Sequence, residues 1–156
     1  MTRQILFVCT GNVFRSLTAE YALRAALHPR PGLLVASAGI EERPQPVPPE
    51  IIDYLRQKNI DVSAHRRRTL TQELVDAAHV VIAMSLDHRE FIRVRFGRHV
   101  ALFLECCGHG SETLLDLHEA VSDYRSNREA ALAYIRTTID RIVELTPLLA
   151  GRIDTL

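Results

Sequence analysis

The sequence predicts an α/β fold in which a doubly wound, four-stranded parallel sheet carries helices on both faces, a three-layer architecture. Short apolar runs rich in β-branched residues alternate with longer segments of helical period, and the runs are not interrupted by polar residues. Continuous apolar strands are typical of parallel sheets that are covered on both sides. The length of 156 residues fits a single domain spanning residues 1–156.

Each element follows from these patterns in turn. Strands are predicted at 5–9 (ILFVC), 33–37 (LLVAS), 80–84 (VVIAM) and 100–104 (VALFL). Helices are predicted at 16–27, 48–58, 71–78, 86–95 and 127–149. Pro147 is expected near the frayed end of the last helix, and the Pro-rich stretch at 42–49 is expected to be a loop that leads into a helix.

Charge and composition exclude several classes of partner. The 19 basic and 19 acidic residues balance, so no net field recruits nucleic acid or an anionic membrane, and the run HRRR at 65–68 is interpreted as a solvated turn. No apolar segment is long enough to cross a bilayer, and the N-terminal run is too short for a signal peptide. Three cysteines, two of them adjacent, form no disulfide framework, which predicts a cytoplasmic protein. A monomer is expected.

The stretch CTGNVFRS, residues 9–16, lies where the first strand gives way to the first helix. Open α/β sheets bind ligands at this edge, beyond the carboxyl ends of their strands. Gly11 and Asn12 tolerate left-handed backbone, so the loop can curl with its N–H groups inward as an anion nest. The same dipoles favour a thiolate at Cys9, and Ser16 can donate a hydrogen bond to the sulfur. Arg15 can donate hydrogen bonds to two phosphate oxygens at once.

This loop predicts a phosphate site with a cysteine nucleophile. The residues expected to hold the phosphate are Thr10, Gly11, Asn12, Val13, Phe14, Arg15 and Ser16. The loop lacks the Gly-Lys-Ser/Thr ending of nucleotide-binding loops and the glycines of the dinucleotide fingerprint. A bare C-x5-R pattern is weak, but the internal Gly-Asn, the following serine and the strand–helix setting make it specific.

No metal or cofactor is predicted. Cys106, Cys107 and His109 suggest a metal site, but cysteine ligands are usually spaced by two or more residues and a fourth ligand is not evident. Adjacent cysteines are also poor structural bridges. The role of this pair is left open.

Several segments together resemble the low-molecular-weight protein tyrosine phosphatase family over nearly the whole chain. VCTGNVFRSLTAE (8–20) resembles the family's catalytic loop and first helix, and SAG (37–39) matches a motif after its second strand. NIDVSAHRRRTLTQEL (59–74) and VVIAMSLDH (80–88) are similar to two further family segments. The resemblance implies the flavodoxin-like strand order 2-1-3-4 and a polar network holding the catalytic loop, formed by Asn12, Ser16, Ser37 and His65.

The chain departs from the family pattern at several positions. Phe14 stands where the family usually has a second cysteine, and Leu17 where it usually has proline. The general acid is normally an aspartate in an Asp-Pro pair before the last helix, and no such pair occurs between residues 114 and 130. The interpretation that aligns best assigns the acid to Asp123, with Asp116 and Glu119 as alternatives.

The resemblance implies metal-independent hydrolysis of phosphomonoesters through a phosphocysteine on Cys9, with Arg15 binding phosphate and Asp123 as the acid. Phosphorylated proteins or small aryl phosphates are the expected substrates, with phosphate or sulfate ions able to occupy the loop. Val13 and Tyr124 are expected at the substrate rim, and an apolar Val13 favours phosphotyrosine over phosphoarginine. An arsenate reductase, a phosphoarginine phosphatase and a catalytically impaired phosphate-binding module remain alternatives.

Overall fold

The computed structural model describes residues 2–43 and 45–156. Met1 lies outside the described residues, as does Pro44 of the loop predicted at 42–49. One parallel sheet has the order β2-β1-β3-β4 and is formed by β1 (Arg3–Cys9), β2 (Leu33–Gly39), β3 (Val80–Ala83) and β4 (Ala101–Leu102). The predicted fold class and strand order are therefore confirmed.

The helices lie close to their predicted bounds, and two short ones are additional. They are α1 (Arg15–Ala26), α2 (Pro49–Gln57), α3 (Gln72–Ala77), α4 (Leu86–Phe96), α5 (Phe103–Cys106), α6 (Leu117–Ala120) and α7 (Arg128–Arg152). In the described part of the chain, none of them is both long enough and apolar enough to span a bilayer.

The prediction of a strand at 100–104 is wrong in its second half, because the chain turns into α5 after Leu102. The side chain of Glu105 accepts a hydrogen bond from the Leu102 N–H at 3.2 Å and so closes the first turn. Phe103 and Leu104 are both buried in the core. An apolar run alone does not distinguish a buried strand from a buried helical turn.

The expected fraying at Pro147 is also absent, since α7 continues to Arg152. A proline inside a helix removes one backbone hydrogen bond, which here would be donated to the carbonyl of Val143. Leu149 and Ile153 beyond it are buried in the core, so packing of the last turns offsets the lost bond.

Side chains of β1 alternate between the two faces of the sheet. Ile5, Phe7 and Cys9 pack in the core beneath α1 and α7, whereas Leu6 and Val8 pack in the core beneath α3 and α4. The sulfur of Cys9 is thereby directed to the side of the sheet on which α1 begins.

The carboxyl ends of the central strands lie level with one another. Cys9 pairs with Gly39 of β2, and Val8 pairs with Ala83 of β3. A Cβ atom on Gly39 would lie 2.7 Å from the Thr10 carbonyl oxygen and 2.8 Å from the Asn12 nitrogen. Glycine at this position therefore lets the loop after β1 lie directly on the end of β2.

Candidate active site

Residues 9–16, hereafter the catalytic loop, connect β1 to α1 and are buried except for a half-exposed Thr10. Asn12 adopts the left-handed region at φ 57°, which bends the loop back over the strand end. The backbone N–H groups of residues 11–14 donate no hydrogen bond to any described residue, and no side chain caps α1. Buried N–H groups seldom stay unpaired, so this arrangement favours an anion as their partner.

Cys9 lies at the floor of a cleft of about 490 Å³. Cys9 is 2% exposed, and its Sγ lies 2.9 Å from the hydroxyl oxygen of Ser16. That hydroxyl can donate to a thiolate and stabilise the negative charge on sulfur. The thiol is therefore buried, hydrogen-bonded and adjacent to the anion-binding N–H groups.

Arg15 is 1% exposed and lines the same cleft. Its Nη1 donates to the carbonyl oxygen of Leu114 at 2.7 Å, and its Nη2 donates to Thr10 Oγ1 at 3.1 Å. Nη2 also lies 3.5 Å from Oδ2 of Asp116. The buried Nε has no partner among the described residues. A guanidinium held at both ends with an unused N–H is suited to receive an oxyanion.

A polar network lies behind the catalytic loop and joins the four side chains expected to hold it. The Asn12 amide donates to Ser16 Oγ at 3.0 Å and to Ser37 Oγ at 2.8 Å. His65 Nε2 lies 3.0 Å from the Asn12 carbonyl oxygen. Burial lowers the pKa of His65, so the ring is neutral at pH 7 and Nε2–H donates to that carbonyl.

Sequence reasoning missed Glu20, which ends this network. Its buried carboxylate accepts a hydrogen bond from the Ser37 hydroxyl and pairs with Arg24 at 2.6 Å. The signal available was the spacing of four residues between Glu20 and Arg24, which is typical of a helical ion pair. Such pairs usually lie on exposed helix faces, so the spacing did not indicate a link to the site.

The three candidate acids differ in position. Asp116 lines the cleft, and its carboxylate lies near Arg15 and 3.2 Å from His118 Nδ1. Glu119 is exposed, outside the cleft lining, and accepts from the Asp116 N–H at 3.0 Å. Asp123, the acid favoured by the sequence, is also exposed and outside the lining, with its carboxylate 3.3 Å from the Asn127 amide. The geometry therefore favours Asp116.

Comparison with known proteins agrees with this geometry. The family model described as low molecular weight phosphotyrosine protein phosphatase matches residues 4–154. The chain belongs to this family. The family predicted from the sequence motifs is therefore confirmed.

Relatives in this phosphatase family carry two kinds of name. A probable low molecular weight protein-tyrosine-phosphatase, EpsP of Ralstonia solanacearum, is 38% identical over 61% of this chain. A protein-arginine-phosphatase of Bacillus subtilis is 40% identical, also over 61% of this chain. The matched stretches span 64% of each of these two relatives.

One solved structure resembles this chain over nearly its whole length. It is a cysteine-to-serine mutant of the arginine phosphatase YwlE with a phosphorylated active-site serine. It superposes with a TM-score of 0.80 at 29% identity and covers 97% of this chain and 95% of its own.

Three side chains, Val13, Phe14 and Tyr124, characterise the walls of the cleft in this protein. Phe14, where the family usually has cysteine, packs edge-on against Tyr134 with ring centroids 6.5 Å apart. Val13 and Tyr124 both line the cleft, and the guanidinium of Arg125 lies 5.6 Å from the Tyr124 ring centroid. The cleft therefore combines apolar walls with a cationic rim.

Cys106 and Cys107 lie apart from this cleft, in the core beneath α1 and α7. Burial raises the pKa of Cys106 to about 11 and that of Cys107 to about 12, so both are thiols at neutral pH. All three cysteines are free, and no metal-binding group of His, Cys, Asp and Glu occurs within 2–43 and 45–156. Inert thiols disfavour the cysteine relay that the arsenate reductase alternative requires.

Proposed function

We propose that this protein hydrolyses phosphomonoesters through a phosphocysteine intermediate on Cys9. The observation that carries the proposal is that Cys9, Arg15 and Asp116 line one cleft, with Ser16 Oγ 2.9 Å from the sulfur. A nucleophile, an anion clamp and an acid are the groups that this reaction needs. Residues 1–156 would act as one domain, and free cysteines support the cytoplasm as its compartment.

In the first step the Cys9 thiolate attacks phosphorus, an S–P bond forms and the bond to the leaving oxygen breaks. The free N–H groups of the catalytic loop and the Arg15 guanidinium take up charge on the non-reacting phosphoryl oxygens. These groups supply the positive charge that other phosphatases obtain from metal ions. The chemistry assigned to the cleft therefore requires no metal ion.

Asp116 would act as the general acid in this step. Tyrosine has a pKa of about 10, so a phenoxide leaves poorly unless it is protonated as the bond breaks. A protonated Asp116 carboxyl donates that proton to the leaving oxygen and becomes a carboxylate. Its position in the cleft beside Arg15 supports Asp116 over Asp123 for this role.

In the second step water attacks the phosphocysteine. The Asp116 carboxylate accepts a proton from that water, the new P–O bond forms and the S–P bond breaks. The sulfur leaves as a thiolate, which the Ser16 hydroxyl stabilises by donating a hydrogen bond. Inorganic phosphate then departs and the free enzyme is restored.

Phosphotyrosine in proteins, or a small aryl phosphate, is the proposed substrate class. The apolar side chains on the cleft walls would contact an aromatic ring, and they include Val13, Phe14, Ile51, Leu117 and Ile135. Tyr124 at the rim could stack against the same ring.

Phosphoarginine is the second candidate substrate. The named arginine phosphatases among the relatives, together with the structural match over 97% of the chain, favour this alternative. Comparing kcat/KM on a phosphotyrosine peptide with that on a phosphoarginine peptide separates the two. Because residue 13 is valine, we expect the higher kcat/KM on the phosphotyrosine peptide. Val13→Thr should bring the kcat/KM values on the two peptides closer together.

The phosphocysteine route is tested with p-nitrophenyl phosphate in the presence of a chelator. We expect turnover that survives chelation and falls to background in Cys9→Ser, because no other group in the cleft replaces the thiolate. Cys106→Ser, which changes a thiol outside the cleft, is the matched control and should retain turnover. Turnover that persists in Cys9→Ser would overturn the proposal.

A further inference from the structure

His88 is a buried, titratable side chain that the proposed reaction does not use. It lies in the first turn of α4, is 1% exposed, and reaches the catalytic loop from 78 residues away in sequence. Its Nε2 lies 2.9 Å from Thr10 Oγ1, and its Nδ1 lies 2.9 Å from Ser85 Oγ. Thr10 Oγ1 in turn accepts from Arg15 Nη2.

A guanidinium can only donate, so the Thr10 oxygen accepts from Arg15 and keeps its own proton and a second lone pair for His88. Two neutral tautomers of His88 satisfy both ring contacts. In one, Thr10 donates to Nε2 and Nδ1–H donates to Ser85, and in the other Ser85 donates to Nδ1 and Nε2–H donates to Thr10. Burial first, and the charge of Arg15 second, lower the pKa of His88 to about 3, so the ring is neutral as this arrangement requires.

Ser85 gives independent evidence that the arrangement has a role outside helix capping. It is the N-cap residue of α4, where a serine hydroxyl ordinarily accepts from a backbone N–H of the first turn. No such bond is formed here, and the hydroxyl contacts the His88 ring instead. The capping contribution is thus replaced by a contact that fixes the orientation of the His88 ring.

We propose that His88 is a positioning residue for Arg15 that acts through the hydroxyl of Thr10. The inference rests on the proposed function, because it assigns to Arg15 the binding of the phosphoryl group. With Nη1 held by Leu114 O and Nη2 by Thr10, the guanidinium plane is fixed before substrate arrives. A fixed donor loses less conformational entropy on binding, so phosphate is bound more tightly.

The experiment measures kcat/KM on p-nitrophenyl phosphate and the competitive inhibition constant of inorganic phosphate. Thr10→Val, which keeps the side-chain shape without the hydroxyl, should lower kcat/KM about three- to tenfold, mainly by raising KM. Thr10→Ser keeps the hydroxyl and should lose less kcat/KM than Thr10→Val. His88→Leu should match Thr10→Val, whereas His88→Gln, whose carbonyl oxygen can accept at the position of Nε2, should recover most of the loss.

The decisive readout is the double variant. If His88 acts through Thr10, Thr10→Val combined with His88→Leu costs no more than Thr10→Val alone. The inference would be overturned if the loss of kcat/KM in the double variant equalled the product of the two single losses. An unchanged phosphate inhibition constant in His88→Leu would also overturn it. Urea unfolding checks that each variant is folded, and His88→Phe, which fills the same space without a hydrogen-bonding nitrogen, replaces His88→Leu if that variant does not fold. His99→Leu, at an exposed position, is the control.

Calorimetric titration with inorganic phosphate separates this inference from the proposed function. If the protein binds phosphate but does not turn over any phosphomonoester, the proposed function fails. The coupling between His88 and Thr10 is then still decided by the phosphate dissociation constants of the same variants. If turnover is observed and the variants do not affect phosphate binding, only the positioning role is lost.

Discussion

The catalytic loop and the segment 111–127, hereafter the acid segment, both line the cleft and are held very differently. The catalytic loop is buried, and a continuous network of side chains lies behind it. In the acid segment only Leu114 is buried, and the short helix α6 carries no buried residue. The catalytic loop is therefore preorganised, whereas the acid segment is supported by few buried contacts.

Leu114 and Asp116 of the acid segment both contact Arg15 of the catalytic loop. The Leu114 N–H donates to the Met84 carbonyl at 3.2 Å, and the Leu114 carbonyl accepts from Arg15 Nη1 at 2.7 Å. Regions with few buried contacts open at lower free-energy cost than the core. The difference suggests a division of labour, in which a rigid anion site is combined with an acid that can adjust to leaving groups of different size.

The largest expected effect concerns which residue of the acid segment is the acid. Asp116→Asn should lower kcat on a phosphotyrosine peptide by about 10²- to 10⁴-fold, the usual contribution of a general acid. The loss on p-nitrophenyl phosphate should be smaller, because that leaving group departs more easily without a proton. Steady-state kinetics on both substrates provide the measurement.

Asp123→Asn is the matched control, since it makes the same chemical change seven residues away on an exposed side chain. We expect it to retain nearly full kcat on both substrates. If Asp123→Asn shows the large, leaving-group-dependent loss and Asp116→Asn does not, the assignment returns to Asp123. The acid segment would then have to rearrange when substrate binds.

The same contrast explains what the sequence could predict. The catalytic loop is contiguous with a strand and a helix, so Cys9, Arg15 and Ser16 reach one point through local geometry alone. The family resemblance implied a position for Ser37 near the loop, and the parallel sheet accounts for it because β1 and β2 end at the same edge. Hydrophobic periodicity therefore predicted the fold class, and the motif CTGNVFRS predicted the phosphate-binding half of the site.

The remainder of the site depends on long-range contacts that spacing does not encode. Without an Asp-Pro pair, Asp116 and Asp123 could be ranked only by their neighbours in sequence, whereas the contacts of Leu114 determine which one reaches the cleft. Glu20 and His88 were likewise not predicted, because a polar residue within a helix gives no sign that its partner lies on another element.

The next prediction concerns the pH dependence of stability. Two buried, neutral histidines, His65 and His88, contact the catalytic loop. The folded pKa of His88 is about 3, below its unfolded value of 6.5, so below pH 6.5 the unfolded state binds the proton first and stability falls. Between pH 6.5 and pH 5 this contributes a loss of about 2 kcal/mol. The shift of His65 acts in the same direction.

Urea unfolding at the two pH values tests this contribution. His88→Gln should remove most of that difference, and His99→Gln, at an exposed position, should leave it unchanged. An equal pH dependence in His88→Gln and wild type would mean that the ring is not held neutral in the folded protein.

The smallest effect compares two serines, Ser37 behind the catalytic loop and Ser126 in the acid segment. Ser37→Ala removes the hydroxyl between Asn12 and Glu20 and leaves both buried groups without that partner, which should lower the free energy of unfolding by about 1–2 kcal/mol. Ser126→Ala removes an exposed hydroxyl that donates to the Asp123 carbonyl at 3.1 Å, and should change it by less than about 0.5 kcal/mol. Urea denaturation with unchanged m-values gives both numbers. Equal losses would mean that the two regions are held equally firmly, and the division of labour inferred from burial would not stand.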